Sequence, residues 1–221
     1  YGGEPGPFLE VLEIYPYELP ENVTAIQGDT EEDIEFSIYL SIPILPEDPG
    51  IEGVPLAILF HAFNNPSRDS YTDWIERLVG KGMVVAYIQY PTDIRPEGGD
   101  DFDPNNIAGT SDWPHHVPRL YSINSALNKL NTIIGDDTRG QEIDDVLGNL
   151  SIMPEHLYIG GHSLGGAYSI SALQMVQEFS WGSETLVVDT EMSASRPSQN
   201  LWQPNFTELP EPVSYTHLTL P

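Results

Sequence analysis

Residues 157–167 read LYIGGHSLGGA, and this stretch decides the fold. It joins a short apolar run at 157–159 to a longer apolar segment at 164–179, and the link between them holds Gly-x-Ser-x-Gly at 161–165. A buried strand, a sharp turn and a buried helix, in that order, form the context that a nucleophile elbow requires. The alternative is an ordinary glycine-rich turn between a strand and a helix.

The chemistry of an elbow explains its residue types. The tight turn strains the backbone of the serine, and side chains two residues before and after it would collide, so Gly161 and Gly165 fit there. We therefore predict that Ser163 is the catalytic nucleophile, exposed at the carboxyl end of the sheet, where open α/β sheets bind ligands. The helix that begins at Leu164 favours a developing oxyanion, so the Leu164 N–H is one predicted oxyanion donor.

A second informative segment is LAILFHAFNNP at 56–66. Its apolar run predicts a strand buried on both faces, ending before His61. The loop after this strand supplies the other oxyanion N–H in an elbow hydrolase, so the Phe63 N–H is the second predicted donor. A core position for the Phe63 ring is compatible with this role, because the donor is main chain. We expect His61 to be a hydrogen-bonded, orienting histidine rather than a catalytic one.

Outside these segments, short apolar runs alternate with amphipathic ones. Strands are predicted at 56–60, 83–88, 157–159 and 186–188, and helices at 69–81, 117–134, 141–148 and 164–179. This alternation predicts an α/β fold with a mostly parallel, doubly wound sheet and helices on both faces. The strict alternation over 34–42 predicts a strand with one solvent-exposed face, paired antiparallel with 23–26 as an N-terminal strand pair.

A length of 221 residues is typical of one domain. Residues 1–20, rich in Pro, Gly and Glu, are interpreted as an N-terminal arm, and residues 21–213 as the folded domain. The last eight residues, SYTHLTLP at 214–221, are interpreted as a non-native tail.

The segments LAILFHAFNN at 56–65 and HLYIGGHSLGGA at 156–167, with Gly82-Met83-Val84-Val85 between them, resemble the α/β-hydrolase superfamily. More narrowly, the chain is similar to the group of chlorophyllases, dienelactone hydrolases and cutinase-like polyesterases. The resemblance implies a serine hydrolase that cleaves small-molecule or polymeric carboxylic esters through an acyl-enzyme, without a cofactor. Ala62 departs from the pattern, because the superfamily usually has glycine after this histidine.

The resemblance also implies that a catalytic acid and then a histidine follow the serine along the chain. We expect both beyond residue 213, so the chain as written is expected to be an inactive fragment. Asp189 is an alternative acid, or else a solvated carboxylate at a strand end. The other histidines near the pattern are poor candidates for the base: His115 and His116 precede the serine, His162 is locked beside it, and His217 lies in the suspected tail.

Composition excludes several classes of function. With 34 acidic and 8 basic residues the net charge is −26, which disfavours nucleic-acid binding. The absence of cysteine excludes disulfides, thiol catalysis and Cys-ligated zinc. No apolar run is long enough for a transmembrane helix. We interpret 99–112 as an acidic surface loop rather than a calcium site, and predict no metal.

Two alternatives to an esterase stay open. The same elbow serves peptidases and acyltransferases, and a chain with this fold can also be a non-catalytic binding module. The acidity and the family resemblance together favour a secreted or extracytoplasmic location.

Overall fold

The computed structural model describes residues 6–19, 23–25, 36–47, 49–62, 65–91, 94–96, 113–135, 138–181 and 186–189. The strands in these ranges are β1 (Glu10–Tyr17), β2 (Val23–Ala25), β3 (Phe36–Pro43), β4 (Gly53–Phe60), β5 (Val84–Ile88), β6 (Ile94–Pro96), β7 (Ser151–Gly161) and β8 (Leu186–Asp189). The helices are α1 (Thr72–Val79), α2 (Trp113–Ile134), α3 (Gln141–Leu147) and α4 (Leu164–Gln177), with a 3₁₀ turn at Arg68–Tyr71 before α1.

Six strands form one sheet in the order β1-β3-β5-β4-β7-β8. Strands β5, β4, β7 and β8 are neighbours in this order and run parallel. Strand β3 lies antiparallel to both of its neighbours, β1 and β5. Helical segments connect β4 to β5, β6 to β7 and β7 to β8. The predicted fold class is therefore confirmed: an α/β architecture with a mostly parallel sheet and an antiparallel strand pair at its N-terminal edge.

The central strands bury both faces, which explains their unbroken apolar sequences. On β4, Leu56, Ile58 and Phe60 face the core beneath α2, α3 and α4. The intervening Ala57 and Leu59 face a second, smaller core beneath α1. Helices thus cover both faces of the sheet, as the alternation of strands and helices predicts.

The sequence-based prediction that the strand at 34–42 pairs with residues 23–26 is wrong. The strand β3 pairs with β1, whereas β2 pairs with β6 in a separate two-stranded sheet. Residues 10–17, assigned from the sequence to an arm, therefore form the edge strand of the main sheet. The predicted solvent-exposed face of β3 is also largely covered: Ser37 and Ser41 are buried, and Tyr39 packs against the smaller core beneath α1.

The strand that leads to the elbow is longer than its apolar run predicts. It covers 11 residues, and its pairing with β4 shifts register between Pro55 and Leu56. Beyond the shift, the two strands stay in step to their ends, where Phe60 pairs with Gly161. The loop after β4 and the elbow after β7 therefore leave the sheet side by side.

Candidate active site

The backbone bends sharply at Ser163, between β7 and α4. Ser163 has φ 55° and ψ −116° and occupies the N-cap position of α4. A positive φ on a non-glycine residue is uncommon, and a strained conformation of this kind costs about 1–3 kcal/mol. The other described non-glycine residue with positive φ, Ser180, lies in the turn after α4. The strain therefore falls on the serine that the Gly-x-Ser-x-Gly pattern marks.

Contacts between backbones explain the two glycines of the elbow. A β-carbon on Gly161 would lie 2.2 Å from the carbonyl carbon and oxygen of Gly165. A β-carbon on Gly165 would lie 2.4 Å from the Phe60 oxygen and 2.5 Å from the His61 oxygen. Because the obstructing atoms are all main chain, neither contact can be relieved by a side-chain rotation. Glycine at both positions lets α4 begin directly against the ends of β4 and β7.

Hydrogen bonds fix the elbow to the neighbouring strand and leave one amide open. The His162 N–H donates to the Phe60 oxygen at 3.1 Å, and the Gly165 and Gly166 N–H groups donate to the His162 and Ser163 oxygens. Leu164 is the first residue of α4, so its N–H has no acceptor within the helix. Ser163 is half-buried, and its side chain caps no N–H of α4. Among the described residues, neither its hydroxyl nor the Leu164 N–H has a hydrogen-bond partner, so both can bond an incoming group.

His61, at the end of β4, is fully buried and neutral. Its Nδ1 lies 2.7 Å from the Ala62 oxygen, and its Nε2 lies 3.0 Å from the Tyr90 oxygen and 3.1 Å from the Tyr90 nitrogen. The single proton of the neutral ring is donated to one of these two carbonyl oxygens, and backbone groups engage both nitrogens. The Tyr90 ring stacks on the imidazole with 3.8 Å between ring centroids. Burial lowers the pKa of His61 from 6.5 to about 4, against the opposing effect of its backbone hydrogen bonds. With both nitrogens occupied, His61 orients the loop, as the sequence indicates.

Three tyrosine hydroxyls hold the loop that follows His61. The Tyr90 hydroxyl donates to the His61 oxygen, the Tyr71 hydroxyl accepts the Ala62 N–H at 2.8 Å, and the Tyr87 hydroxyl donates to the Pro66 oxygen at 2.8 Å. All three rings are buried. No sequence motif identifies these three tyrosines, which cannot be told from ordinary core aromatic residues in the sequence. Their hydroxyls reach the same loop only in the folded chain.

Ala62 fits this loop without strain. Among the described non-glycine residues, positive φ occurs only at Ser163 and Ser180, so the backbone of Ala62 is in a region open to any residue. The alanine found where the resemblance leads one to expect glycine therefore does not by itself distort the described start of the loop. Phe63, the predicted second oxyanion donor, lies outside the described residues.

Of the candidates for the other catalytic groups, Asp189 and three histidines lie within the described residues. Asp189 is the last residue of β8 and pairs with Gly161, which places its backbone at the same edge of the sheet as the elbow. The Nδ1 atom of His162 lies 3.4 Å from the Tyr71 hydroxyl. His115 and His116 belong to the first turn of α2, and no side-chain position is described for them. His217 and the loop at 99–112 lie outside the described residues.

A buried arginine near this edge was missed by the sequence reasoning. Arg119, on α2, is 5% exposed, and its Nε donates to the Pro91 oxygen at 3.3 Å. It also hydrogen-bonds Tyr168 of α4, whose pKa burial raises to about 12 against the lowering effect of Arg119. The arginine thus ties α2 and α4 to the segment after β5. The sequence gives little signal for this role, because Arg119 is one of two basic residues, with Lys129, in the sequence of α2.

Two further observations concern only the part of the chain that is described. It contains no group of three or more His, Asp or Glu side chains that could hold a metal ion. None of its helices is both long and apolar enough to cross a lipid bilayer.

Solved structures similar to this chain include several esterases. A bacterial heroin esterase has a TM-score of 0.46 and 14% identity, and the match covers 80% of this chain and 44% of that one. Carboxyl esterase 2 from the mycorrhizal fungus Tuber melanosporum has a TM-score of 0.44 and 17% identity, with 81% and 44% covered. Esterase B from Lactobacillus rhamnosis has a TM-score of 0.41 and 14% identity, with 78% and 50% covered.

The chain therefore spans half or less of the length of these esterases. No family model matches the chain, and no curated protein matches it. The α/β fold assignment rests on the strand order and the strand–elbow–helix unit of this chain itself.

Proposed function

We propose that this chain carries the nucleophile of a serine hydrolase that cleaves carboxylic esters. The observation that supports this most strongly is the conformation of Ser163: a strained, half-buried serine between β7 and α4, made possible by two glycines whose replacement would cause backbone clashes. Strain of this kind persists only where the surrounding structure enforces it, and it concentrates at functional sites. An ordinary strand-to-helix turn does not need it.

In the proposed reaction, the Ser163 oxygen attacks the ester carbonyl carbon while a general base takes the hydroxyl proton. The carbonyl oxygen becomes an oxyanion, for which we propose the Leu164 N–H and the Phe63 N–H as hydrogen-bond donors. Collapse of this intermediate expels the alcohol, which takes up the proton, and leaves an acyl-enzyme on Ser163. Water then attacks the acyl carbonyl by the same route and releases the carboxylic acid. Each oxyanion donor is worth about 3 kcal/mol of the barrier in enzymes of this kind.

The acid and the general base are expected after the elbow in the chain, in the order serine, acid, histidine. Within the described residues, Asp189 is in the expected direction, because β8 follows β7 and lies beside it in the sheet. Asp189 is thus the alternative acid of the described part, while the acid and the histidine that the resemblance implies are expected later in the chain. His61 does not serve as base, since both of its nitrogens are engaged by backbone groups.

The substrate class rests on the narrower resemblance. The segments at 56–65 and 156–167 are similar to those of chlorophyllases, dienelactone hydrolases and cutinase-like polyesterases. This similarity supports a small-molecule or polymeric carboxylic ester as substrate.

The test uses p-nitrophenyl esters and a fluorophosphonate probe with the purified protein expressed from the complete gene, because the described residues supply no general base for this reaction; that protein is the parent of every variant below. We expect turnover and covalent labelling at Ser163, both abolished in Ser163→Ala. Ser171→Ala is the matched control, because it removes a buried hydroxyl from the same helix, away from the elbow, and should leave both signals intact. Labelling of another serine would refute the assignment of the nucleophile. The absence of both turnover and labelling would favour a non-catalytic module with this fold.

A further inference from the structure

One hydroxyl group connects the two segments that meet at the proposed active site. The Tyr71 oxygen accepts the Ala62 N–H at 2.8 Å and lies 3.4 Å from the Nδ1 atom of His162. A phenolic hydroxyl has one proton and can also accept, so it can hold the amide and bond the imidazole in either direction. Ala62 belongs to the loop after β4, and His162 belongs to the elbow.

The position of this hydroxyl is fixed by packing. Tyr71 ends the 3₁₀ turn before α1 and is 6% exposed. Its ring lies 5.5 Å from that of Tyr87, and the ring of His162 meets it edge-on at 6.1 Å. The next residue back, Ser70, donates a hydrogen bond to the Asn65 side chain at 2.7 Å, which holds the turn against the same loop. The ring therefore has little freedom to carry its hydroxyl elsewhere.

We infer that Tyr71 is a positioning residue that fixes the start of the loop after β4, at Ala62, relative to the elbow, at His162. The inference rests on the proposed function. Ala62 directly precedes Phe63, and His162 lies two residues before Leu164, so the hydroxyl is bonded next to one proposed donor and close to the other. Tyr71 touches neither Ser163 nor the reacting atoms in this scheme, and it acts through the backbone of the loop.

Removal of the hydroxyl should slow the chemical steps more than it weakens substrate binding. The oxyanion forms in both acylation and deacylation, so displaced donors slow both steps, and kcat falls while KM is preserved. A displacement of about 1 Å at a reacting centre costs on the order of a hundredfold in rate. For Tyr71→Phe, which keeps the ring, we expect kcat to fall about tenfold to a hundredfold with KM within about twofold.

Tyr17→Phe is the matched control. Tyr17 is also 6% exposed, and its hydroxyl also bonds a backbone group, the Gln89 oxygen at 2.8 Å, but it lies on the edge strand β1. We expect kcat and KM of Tyr17→Phe to match the parent. Hydrogen exchange of the Ala62 amide should accelerate in Tyr71→Phe and stay slow in Tyr17→Phe, which reports the bond whether or not the protein turns over substrate.

A second variant guards against an unstable Tyr71→Phe protein. His162→Ala removes the other end of the connection, and should also lower kcat with KM preserved. If both residues act through one connection, the double variant loses little more than Tyr71→Phe alone, whereas independent structural damage would add.

The outcomes separate the inference from the proposed function. Active parent protein, inactive Ser163→Ala and unchanged kcat in Tyr71→Phe overturn the inference and leave the proposed function standing. A rise in KM equal to the fall in kcat, an equal loss in Tyr17→Phe, or additive losses in the double variant also overturn it. A parent protein without turnover or Ser163 labelling refutes the proposed function, and the role of Tyr71 in catalysis with it.

Discussion

A β-carbon on Gly165 would lie 2.4 Å from the carbonyl oxygen of Phe60, because the first turn of α4 rests directly on the end of β4. This close approach determines where the elbow points. The helix can begin at the sheet edge only if the residue two positions after Ser163 has no side chain. The contact between two backbones, rather than any side-chain interaction, therefore sets the position of the nucleophile relative to the neighbouring loop.

Gly165→Ala should consequently destabilise the fold. The added methyl group meets main-chain atoms of both Phe60 and His61, and forcing extra atoms into a packed site costs about 1–3 kcal/mol or more. We expect a loss of about 3 kcal/mol in urea unfolding. The comparison is Gly50→Ala, where no atom lies within 4 Å of the added carbon and only its φ of 68° opposes alanine, at a cost of about 1 kcal/mol. Equal losses in the two variants would show that the contact is not restrictive.

The buried His61 should make stability depend on pH. Its pKa is about 4 in the folded protein and 6.5 when exposed, so the unfolded chain binds an extra proton between these values. Stability from neutral His61 is therefore complete above pH 6.5 and declines as pH falls towards 4, by about 3 kcal/mol in total. The carboxylates of the chain also titrate in this range and change the stability of parent and variant alike. The contribution of His61 is therefore measured as the difference in unfolding free energy between the two proteins. The stability gap between the parent and His61→Gln, followed by urea unfolding, should narrow from pH 7 to pH 4.5. A gap that stays constant would contradict the assignment.

The edge strand β1 is attached to the rest of the fold by an ion pair. Arg68, before α1, contacts the Glu10 carboxylate and also donates to the buried Ser41 hydroxyl at 3.1 Å. Both members of the pair are largely shielded, with side-chain exposures of 13% and 20%. An exposed ion pair contributes less than about 1 kcal/mol to stability, and breaking a fully buried pair costs several kcal/mol. The contribution of this partly shielded pair is expected to lie between the two.

We therefore expect Glu10→Gln to lose about 1–2 kcal/mol in thermal or urea unfolding. Glu13→Gln on the same strand is the control for charge alone: in a chain of net charge −26, removal of one negative charge relieves repulsion and should be neutral or slightly stabilising. Equal effects of the two substitutions would remove the ion pair as the cause.

Much of this fold can be predicted from sequence because its central strands and the elbow leave local signals. The run at 56–60 and the pattern at 157–167 each indicate their structure within about ten residues. The edge strand β1 leaves no such local signal. The sequence of β1, EVLEIYPY, contains two glutamates and a proline, and it resembles a linker until its pairing with β3 is known. Strand partners depend on the whole sheet, so alternation in one segment does not identify them.

In the candidate active site, too, local features can be predicted from the sequence and contacts between distant residues cannot. The steric requirement for Gly161 and Gly165 is local, and could be argued from the tightness of the turn alone. The hydrogen bond from Ala62 to Tyr71 and the stacking of Tyr90 on His61 join residues 9 and 29 positions apart. No spacing rule links such residues, because the contacts arise only when the sheet and α1 bring them together.

The strain at Ser163 predicts opposite effects of one substitution on stability and activity. Glycine adopts positive φ freely, so Ser163→Gly should relieve the conformation at φ 55°, ψ −116° and raise the midpoint of thermal unfolding while it removes the proposed nucleophile. Ser163→Ala removes the same hydroxyl but keeps a β-carbon, so its stability should stay near that of the parent. We expect Ser163→Gly to exceed Ser163→Ala by about 1 kcal/mol, the net of relieved strain and the larger backbone entropy of glycine in the unfolded chain. Ser180→Gly, at φ 59° in the turn after α4, tests how much of this gain comes from positive φ alone. If Ser163→Gly were no more stable than Ser163→Ala, the elbow would carry no strain, and the strongest structural support for the nucleophile would be lost.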